Sequence, residues 1–304
     1  MVMLEFLKRE GVSDALISEI KAFRAAYDCK DISRIPNPQY NYYGTDVWEQ
    51  AISTVLAGEH LLLTGPKATG KNVLAQGLAA AFGRPAWDVS LHINTDAATL
   101  IGTDTYSGGE VHLRRGPVLQ CAQEGGFGVL DEINMAKNEA LAVLHAVLDF
   151  RRVIDVPGYE RIVLHDATRF IATMNYGYAG TREINEALAS RFMIIRMPVI
   201  SEENLQKLIL ERFPSIKKDW AIQFSALFHE LRRKCEGGEI SSRALDLRGL
   251  LASVMMMQRG LSVDKAMELG LVNKCFDDYE RQLVLDLIRV RIPTGLEGRG
   301  IFSD

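Results

Sequence analysis

The chain has 304 residues, of which 47% are hydrophobic and 24% charged, and its formal net charge is −4. These values exclude a disordered chain, a fibrous chain and a nucleic-acid-binding polycation. No apolar run approaches the roughly 20 residues of a membrane helix, and charges within the first ten positions argue against a secretory signal peptide. The four cysteines form no CxxC pair, which favours free thiols in a reducing compartment, so we expect a cytoplasmic protein.

The first two hundred residues carry an alternating pattern of short apolar runs and helical stretches. Helical spacing predicts a helix over 3–28, and prolines, asparagines and tyrosines predict a loop at 31–44 before a helix at 46–57. The predicted strands are 60–64, 87–92, 127–131, 170–174 and 192–197, with predicted helices at 70–82, 116–124, 138–149 and 184–190. This alternation predicts an α/β fold with a parallel sheet covered by helices on both faces.

Two segments interrupt the alternation. Paired turn residues, Gly108–Gly109 within 104–114 and Pro157–Gly158 within 151–165, predict β-hairpins. From residue 201 the strands stop, and helices are predicted at 202–212, 218–234, 241–258, 263–269 and 276–290. We therefore expect a helical N-terminal extension at 1–34, an α/β domain at 35–200, and a small all-helical domain with a C-terminal tail at 201–304.

The segment HLLLTGPKATGKNVLAQGLA, residues 60–79, carries the clearest chemical signal. It places the pattern GxxxxGK between a predicted strand and a predicted helix. Glycines let backbone N–H groups wrap a phosphate, and the helix N-terminus and the lysine add positive potential. The sequence therefore predicts a phosphate-binding site made of Gly65, Pro66, Lys67, Ala68, Thr69, Gly70, Lys71, Asn72 and Val73.

Position 72 departs from this pattern. A P-loop has serine or threonine after the lysine, and that hydroxyl binds Mg²⁺. Asn72 offers an amide carbonyl instead, which can bind a hard cation but is longer and differently aimed. We expect phosphate binding to persist, whereas the substitution puts Mg²⁺ affinity and the hydrolysis rate in question.

Two other predicted strands end in polar residues. In GFGVLDEIN, Asp131 would hold Mg²⁺ and Glu132 would polarise an attacking water. In RFIATMN, Asn175 ends the next predicted core strand. Because ligands bind at the carboxyl ends of parallel strands, Asn175 would lie beside Glu132 and orient the water. A turn-forming asparagine is the alternative interpretation.

Two arginines complete the candidate site. Arg191 ends the predicted helix in GTREINEALASRFMII, where it could reach the γ-phosphate of a neighbouring subunit, although the helix dipole alone also favours arginine there. Arg182 is a second candidate, less well placed. In GEISSRALDLRGLL, Ser241 or Ser242 is predicted to cap a helix with Arg243 near its start. A bound anion would explain that arginine, and an ordinary surface arginine is the alternative.

The chain resembles the AAA+ ATPases, and within them the MoxR-type branch near the NorQ/CbbQ-like ATPases. Six motifs carry the resemblance over roughly residues 35–290: GPKATGKN, GTDTYSGGEVHLRRGPV, VLDEIN, VIDVPGYERIVLH, ATMNYGYAGTREINEALASRF and SSRALDLR. It implies a P-loop NTPase fold followed by a helical lid, with ATP and Mg²⁺ as cofactors. The two hairpins would be the helix-2 insert and the pre-sensor-1 hairpin, which face the central pore or the partner in such rings.

The resemblance also implies a role for each candidate residue. The roles are Walker A for residues 65–71, Walker B for Asp131 and Glu132, sensor 1 for Asn175, an arginine finger in trans for Arg191, sensor 2 for Arg243, and adenine binding for Tyr42, Tyr43 and Gly44. Mg²⁺ would be held by Asp131 with Asn72.

The function that the resemblance implies is Mg²⁺-dependent ATP hydrolysis in a ring, expected to be hexameric, coupled to remodelling or activating a partner protein. MoxR-type ATPases often act with a partner carrying a von Willebrand factor A domain. A nucleotide-responsive scaffold with slow or partner-dependent hydrolysis is the alternative that Asn72 motivates. The net charge and the lack of a recognisable DNA-binding module disfavour a nucleic-acid-linked motor. GTP stays open as an alternative to ATP, and no membrane partner is expected.

Overall fold

A five-stranded parallel sheet lies at the centre of the first part of the chain in the computed structural model, which describes residues 2–29, 31–156, 158–159, 161–176 and 182–303. The strands, numbered along the chain, are β1 (His60–Thr64), β2 (Ala86–Ser90), β3 (Gly102–Ser107), β4 (Glu110–Arg115), β5 (Phe127–Asp131), β6 (Val153–Ile154), β7 (Ile162–Val163), β8 (Arg169–Met174) and β9 (Phe192–Arg196). The sheet order is β2-β5-β8-β1-β9, and each neighbouring pair is parallel.

Helices precede, separate and follow these strands. In the first part of the chain they are α1 (Val2–Glu10), α2 (Asp14–Ala26), α3 (Thr45–Leu56), α4 (Lys71–Phe82), α5 (Ala97–Ile101), α6 (Pro117–Glu124), α7 (Asn138–Leu141), α8 (Leu144–Val147) and α9 (Glu186–Ala189). In the second part they are α10 (Glu202–Arg212), α11 (Lys218–Glu236), α12 (Leu247–Gln258), α13 (Val263–Gly270) and α14 (Asp278–Arg291). None of the described helices has the length and apolar content needed to span a bilayer.

The central strands β1, β5 and β8 are buried on both faces of the sheet, and their successive side chains point alternately to the two sides. In β1, Leu61 and Leu63 belong to one hydrophobic cluster and Leu62 belongs to the other. The first cluster joins the sheet to α1–α4, and the second joins it to α5–α8. The predicted fold class, a parallel sheet with helices on both faces followed by a helical region, is therefore confirmed.

The N-terminal segment forms two helices, so the single helix predicted over 3–28 is wrong. Gly11 has φ +91°, a conformation that a continuous right-handed helix cannot contain. Ser13 then caps α2 by accepting a hydrogen bond from the N–H of Leu16. Apolar spacing carries on across the break because both helices pack on the same core.

Arg84 fastens this helical pair to the sheet. Its side chain is 1% exposed and donates hydrogen bonds to four backbone carbonyls. Two of them belong to Tyr27 and Asp28, just after α2, and two to Glu124 and Gly125, just before β5. Residues 2–28 are therefore an integral layer of the first part of the fold.

Both predicted hairpins are present. β3 pairs with β4 in antiparallel register around Gly108 and Gly109, and β6 pairs with β7. Pro157 lies outside the described residues. The predicted helix at 138–149 is instead two four-residue helices, α7 and α8, and α5 was not predicted, because five residues are too few to show helical spacing.

The chain divides into two compact units, residues 1–198 and 199–304. The second unit is built from α10–α14, and four of its five predicted helices begin and end within two residues of the prediction. The fifth, predicted over 241–258, begins only at Leu247 and is capped by Asp246. The predicted serine cap is wrong because the N–H and hydroxyl of Ser241 donate to Oε1 of Glu280, at 2.7 and 2.6 Å.

Candidate functional site

The predicted phosphate loop connects the end of β1 to the first residue of α4. Gly70 has φ +81°, and a Cβ there would lie 2.9 Å from Cδ2 of Tyr42, so both backbone and packing require glycine. Ala68 also adopts the left-handed conformation, at φ +61°, which is uncommon for a residue with a Cβ. The loop ends at the N-terminus of a 12-residue helix, whose free N–H groups favour an anion.

The Lys71 ammonium lies inside this loop. Its Nζ is 2.9 Å from the carbonyl oxygen of Gly65, 2.7 Å from that of Pro66 and 3.2 Å from Oγ1 of Thr69. Burial lowers the pKa of Lys71 to about 8, although the charges of Asp131 and Glu132 partly counteract this. The loop therefore holds an incompletely solvated cation, which an anionic phosphate would stabilise.

A chain of hydrogen bonds joins the two predicted carboxylates, at the end of β5, to polar side chains at the end of β8. Asn72 donates Nδ2–H to Oδ2 of Asp131 at 2.9 Å, and Thr173 donates its hydroxyl to Oδ1 of Asp131 at 2.5 Å. The Thr173 oxygen accepts the N–H of Glu132 at 3.0 Å, and Asn175 donates Nδ2–H to Oε1 of Glu132, also at 3.0 Å. Residues from three separate motifs thus meet in one network.

Glu132 has an unusual backbone. Its φ of +54° lies in the left-handed region, which a residue with a Cβ adopts at a cost of about 1–3 kcal/mol. A short 3₁₀ helix, Ile133–Met135, follows at once. The strand therefore ends abruptly after Asp131, and the two adjacent carboxylates take separate hydrogen-bond partners.

The segment predicted to hold a nucleotide base adjoins the phosphate loop through Tyr42. The Tyr42 ring packs on Gly70, and its carbonyl accepts the Nε1–H of Trp48 at 2.8 Å. Burial raises the pKa of Tyr42 to about 12, so its hydroxyl stays protonated.

Helix α1 supports the next two residues of this segment. The Tyr43 ring meets the ring of Phe6 edge-on, with centroids 5.6 Å apart. The N–H of Gly44 donates to Oε1 of Glu10 at 2.7 Å, and the Thr45 hydroxyl donates to the Glu10 carbonyl at 2.6 Å. The N-terminal segment thus fixes the path of the predicted base-binding residues.

Comparison with known proteins agrees with this geometry. Residues 60–192 match the family described as AAA domain, dynein-related subfamily. The chain is 32% identical over 260 residues to an uncharacterized protein of Staphylococcus saprophyticus, covering 82% of this chain and 98% of the relative. The chain belongs to the AAA+ ATPase family. It is also 32% identical over 243 residues to the uncharacterized protein YojN of Bacillus subtilis, covering 78% of this chain and 79% of that one.

A crystal structure of a protein from Cytophaga hutchinsonii matches 90% of this chain and 94% of that chain, with a TM-score of 0.47 and 16% identity. Membership of the AAA+ family rests on the domain match and the sequence relatives. It supports nucleotide binding and ATPase activity at the level of the family.

Arg191 lies outside the hydrogen-bond network of this AAA+ site. It follows α9, donates to the carbonyl of Ala187, and forms an ion pair with Oδ2 of Asp149 at 3.5 Å. Arg151 donates to the other carboxylate oxygen at 2.8 Å, and hydrogen bonds from Arg151 hold the pKa of Asp149 below its usual value. Arg191 therefore has an acidic partner within its own chain, which the sequence did not reveal.

Arg243 belongs to the second unit and does not begin a helix. It lies in the turn before α12, because that helix starts four residues later, at Leu247. Its N–H donates to Oγ of Ser241 at 3.3 Å, and its guanidinium lies 5.1 Å from the ring centroid of Phe276. The predicted position in a first helical turn is therefore wrong, and the helix dipole is no argument for an anion there.

Sequence reasoning missed three residues that organise the site: Thr173, Asn134 and Glu10. Asn134 is 3% exposed and donates Nδ2–H to the carbonyl of Asn175 at 2.7 Å. A polar residue within an apolar strand was a signal available for Thr173, and a polar residue two positions after a carboxylate pair was one for Asn134. The sequence carried no comparable signal for Glu10, because a charged residue on a surface helix is ordinary.

Proposed function

We propose that this AAA+ protein hydrolyses ATP with Mg²⁺ and couples hydrolysis to remodelling or activating a partner protein, as a MoxR-type ATPase. The observation that carries the proposal is the continuous hydrogen-bond network Asn72–Asp131–Thr173–Glu132–Asn175, which begins one residue after Lys71. A binding module needs the loop and the lysine only. A second carboxylate held by an amide at the far end of the network is what hydrolysis requires.

Each side chain has a role that follows from its contacts. Lys71 binds the outer phosphates as a buried cation. Oε1 of Glu132 is engaged by Asn175, so Oε2 is the oxygen that takes a proton from the attacking water. Asn175 fixes the direction of that carboxylate and orients the water.

The residues present fit Mg²⁺. Within the described ranges, no group of three or more His, Cys, Asp and Glu side chains could hold a metal by itself. Mg²⁺ usually needs only one or two protein oxygens together with substrate phosphates. The Asp131 carboxylate would supply one such oxygen, and Asn72, which donates Nδ2–H to Asp131, would supply its Oδ1 once the amide turned toward the ion. The ion, when bound, would neutralise charge on the phosphates.

We further propose that the subunits assemble into a hexameric ring, in which Arg191 acts on the nucleotide of its neighbour. Two observations support a trans role: among the described residues Arg191 is not part of the network around Glu132, and its side chain, although paired with Asp149, is 28% accessible. The β3–β4 hairpin carries exposed Tyr106 and Val111 side by side, a surface that suits a partner protein, such as one with a von Willebrand factor A domain.

A slower, partner-dependent ATPase is the second candidate, and one contact favours it. Asn72 donates an amide N–H to Oδ2 of Asp131, and Thr173 donates its hydroxyl to Oδ1. Both oxygens of that carboxylate therefore already accept hydrogen bonds from protein side chains. Replacing Asn72 with threonine, the residue type that P-loops carry there, should then raise turnover. Unchanged turnover in Asn72→Thr would count against this candidate.

The deciding experiment measures steady-state ATP hydrolysis with Mg²⁺, beside Glu132→Gln, with particle mass determined for both proteins. The proposal expects turnover in the wild type, loss of turnover in the variant, and a nucleotide-dependent rise in mass in both. Absence of turnover with a retained mass change would favour the partner-dependent candidate. Absence of nucleotide binding would refute both.

Arg191→Ala tests the trans role, and Arg182→Ala, at the second candidate nine residues away, is measured beside it to decide between the two arginines. The proposal expects Arg191→Ala to abolish hydrolysis while sparing ATP affinity, because the arginine serves another subunit's nucleotide. Mixing Arg191→Ala with Glu132→Gln should restore part of the rate, since a mixed ring recombines an intact site with an intact arginine. Failure of the mixture to recover any activity would contradict action in trans.

A further inference from the structure

Thr173 has a buried hydroxyl that bonds to the carboxylate of Asp131 and to the backbone N–H of Glu132. It lies on β8, is 0% exposed, and contacts Asp131 and Glu132 with the same oxygen atom. It lies two residues before Asn175, which directly follows β8. No P-loop or Walker motif includes this position.

Only one assignment of donor and acceptor is possible for the two hydrogen bonds of the Thr173 hydroxyl. A hydroxyl has a single proton and two acceptor lone pairs, whereas an ionised carboxylate can only accept. The proton must therefore go to Oδ1 of Asp131, at 2.5 Å, and a lone pair must receive the N–H of Glu132, at 3.0 Å. Both bonds are satisfied together, and neither can form without the hydroxyl.

The hydrogen bond that Thr173 accepts comes from Glu132, the residue of the site with a strained backbone. Glu132 adopts φ +54°, and such a conformation persists only where the surroundings hold it. The bond to Thr173 fixes the Glu132 amide, and the bond from Asn175 fixes its carboxylate. Glu132 is thus held at its amide by Thr173 of β8 and at its carboxylate by Asn175, the residue that follows β8. Asp131 is held by Thr173 at Oδ1 and by Asn72 at Oδ2.

We propose that Thr173 is the positioning residue that aligns the metal-binding and water-activating carboxylates, so that Asp131 and Glu132 act as one unit. This inference rests on the proposed function, because it concerns the geometry of that reaction. Thr173 itself touches neither the water nor the phosphates. It acts through the Asp131 carboxylate and the Glu132 backbone amide, and its loss displaces Glu132 without removing any charge from the site.

The test replaces Thr173 with valine, which keeps the shape and removes the hydroxyl, and with serine, which keeps the hydroxyl. Thr168 supplies a matched control, because it is also 0% exposed and its hydroxyl bonds to backbone carbonyls of Cys121 and Ala122 instead. Thr173→Val should lower kcat about 100-fold with KM for ATP little changed, the effect typical of a catalytic group displaced by about 1 Å. Thr173→Ser should restore most of the lost rate.

A second measurement is independent of turnover. The gain in ATP affinity on adding Mg²⁺, measured by calorimetry with MgCl₂ or EDTA, should shrink in Thr173→Val and persist in Thr168→Val, because only the former releases Asp131. Thr168→Val should lower the melting temperature without moving kcat. If Thr173→Val proves insoluble, Thr173→Ala relieves the packing and removes the same two hydrogen bonds.

The outcomes separate this inference from the proposed function. If the wild type and Glu132→Gln hydrolyse ATP equally, the proposed function fails, and the Mg²⁺ measurement alone then tests Thr173. If the wild type is active and Thr173→Val matches Thr168→Val in kcat and Mg²⁺ response, the positioning role is overturned while the ATPase proposal stands.

Discussion

Raising the pH from 7 to 9 should weaken ATP binding about tenfold, because the Lys71 cation is lost. Burial lowers the pKa of Lys71 from its usual 10.5 to about 8. In the nucleotide-free protein, roughly nine tenths of the molecules then carry the ammonium at pH 7 and roughly one tenth at pH 9. If only the charged form holds the phosphates, the affinity follows this fraction, and the loss is about 1.4 kcal/mol.

The direction of this linkage follows from the two end states. Bound phosphates favour the ammonium, so ATP raises the pKa of Lys71, and affinity falls progressively as the pH rises through about 8. The free energy of unfolding moves the other way. The unfolded chain keeps the ordinary pKa of 10.5 and binds more protons between about pH 8 and 10.5, so the contribution of Lys71 to stability rises with pH there.

The assay is a titration with ATP followed by calorimetry at half-unit steps from pH 7 to 9, with Mg²⁺ held constant. Phosphate groups titrate near pH 6, below this window. Lys71→Arg is the matched control, because its guanidinium stays charged throughout, and its affinity should be flat over the same range. A flat profile in the wild type, or an equal slope in both proteins, would refute the argument from a buried lysine.

Three further predictions concern packing and positioning. Arg84→Met should lower the free energy of unfolding by about 3–5 kcal/mol, because buried carbonyls lose their donors, and an unchanged thermal melt would show that Arg84 does not fasten the N-terminal helices. Gly77→Val should destabilise by about 1–3 kcal/mol, since even a Cβ there meets the Trp48 ring at 2.7 Å, and chemical denaturation at an unaltered midpoint would contradict this. Asn134→Ala should lower kcat and spare ATP affinity, because the Asn175 loop loses its tether, and an equal loss in both would point to a folding defect instead.

The phosphate loop and the strand ends could be predicted because their signals are local. GxxxxGK between a strand and a helix is a short stretch in which the glycines mark the positions where the backbone needs a positive φ. Gly70 does adopt a positive φ. The three central strands, β1, β5 and β8, are apolar runs because both of their faces are buried, which needs no knowledge of their neighbours. Local patterns were weakest where one residue or one turn decides the outcome, as at Gly11 and before Leu247.

The remaining features depend on contacts between residues far apart in the chain. Thr173 reaches Asp131 across 42 residues, and Gly44 reaches Glu10 across 34. A short polar side chain can cap a helix, close a turn or bind a distant carboxylate, and these options differ by only about 1 kcal/mol until the fold places the partners. The sequence by itself determined the sheet, the P-loop and the pair of carboxylates; only the tertiary structure decided which hydroxyl and which amides hold those carboxylates in place.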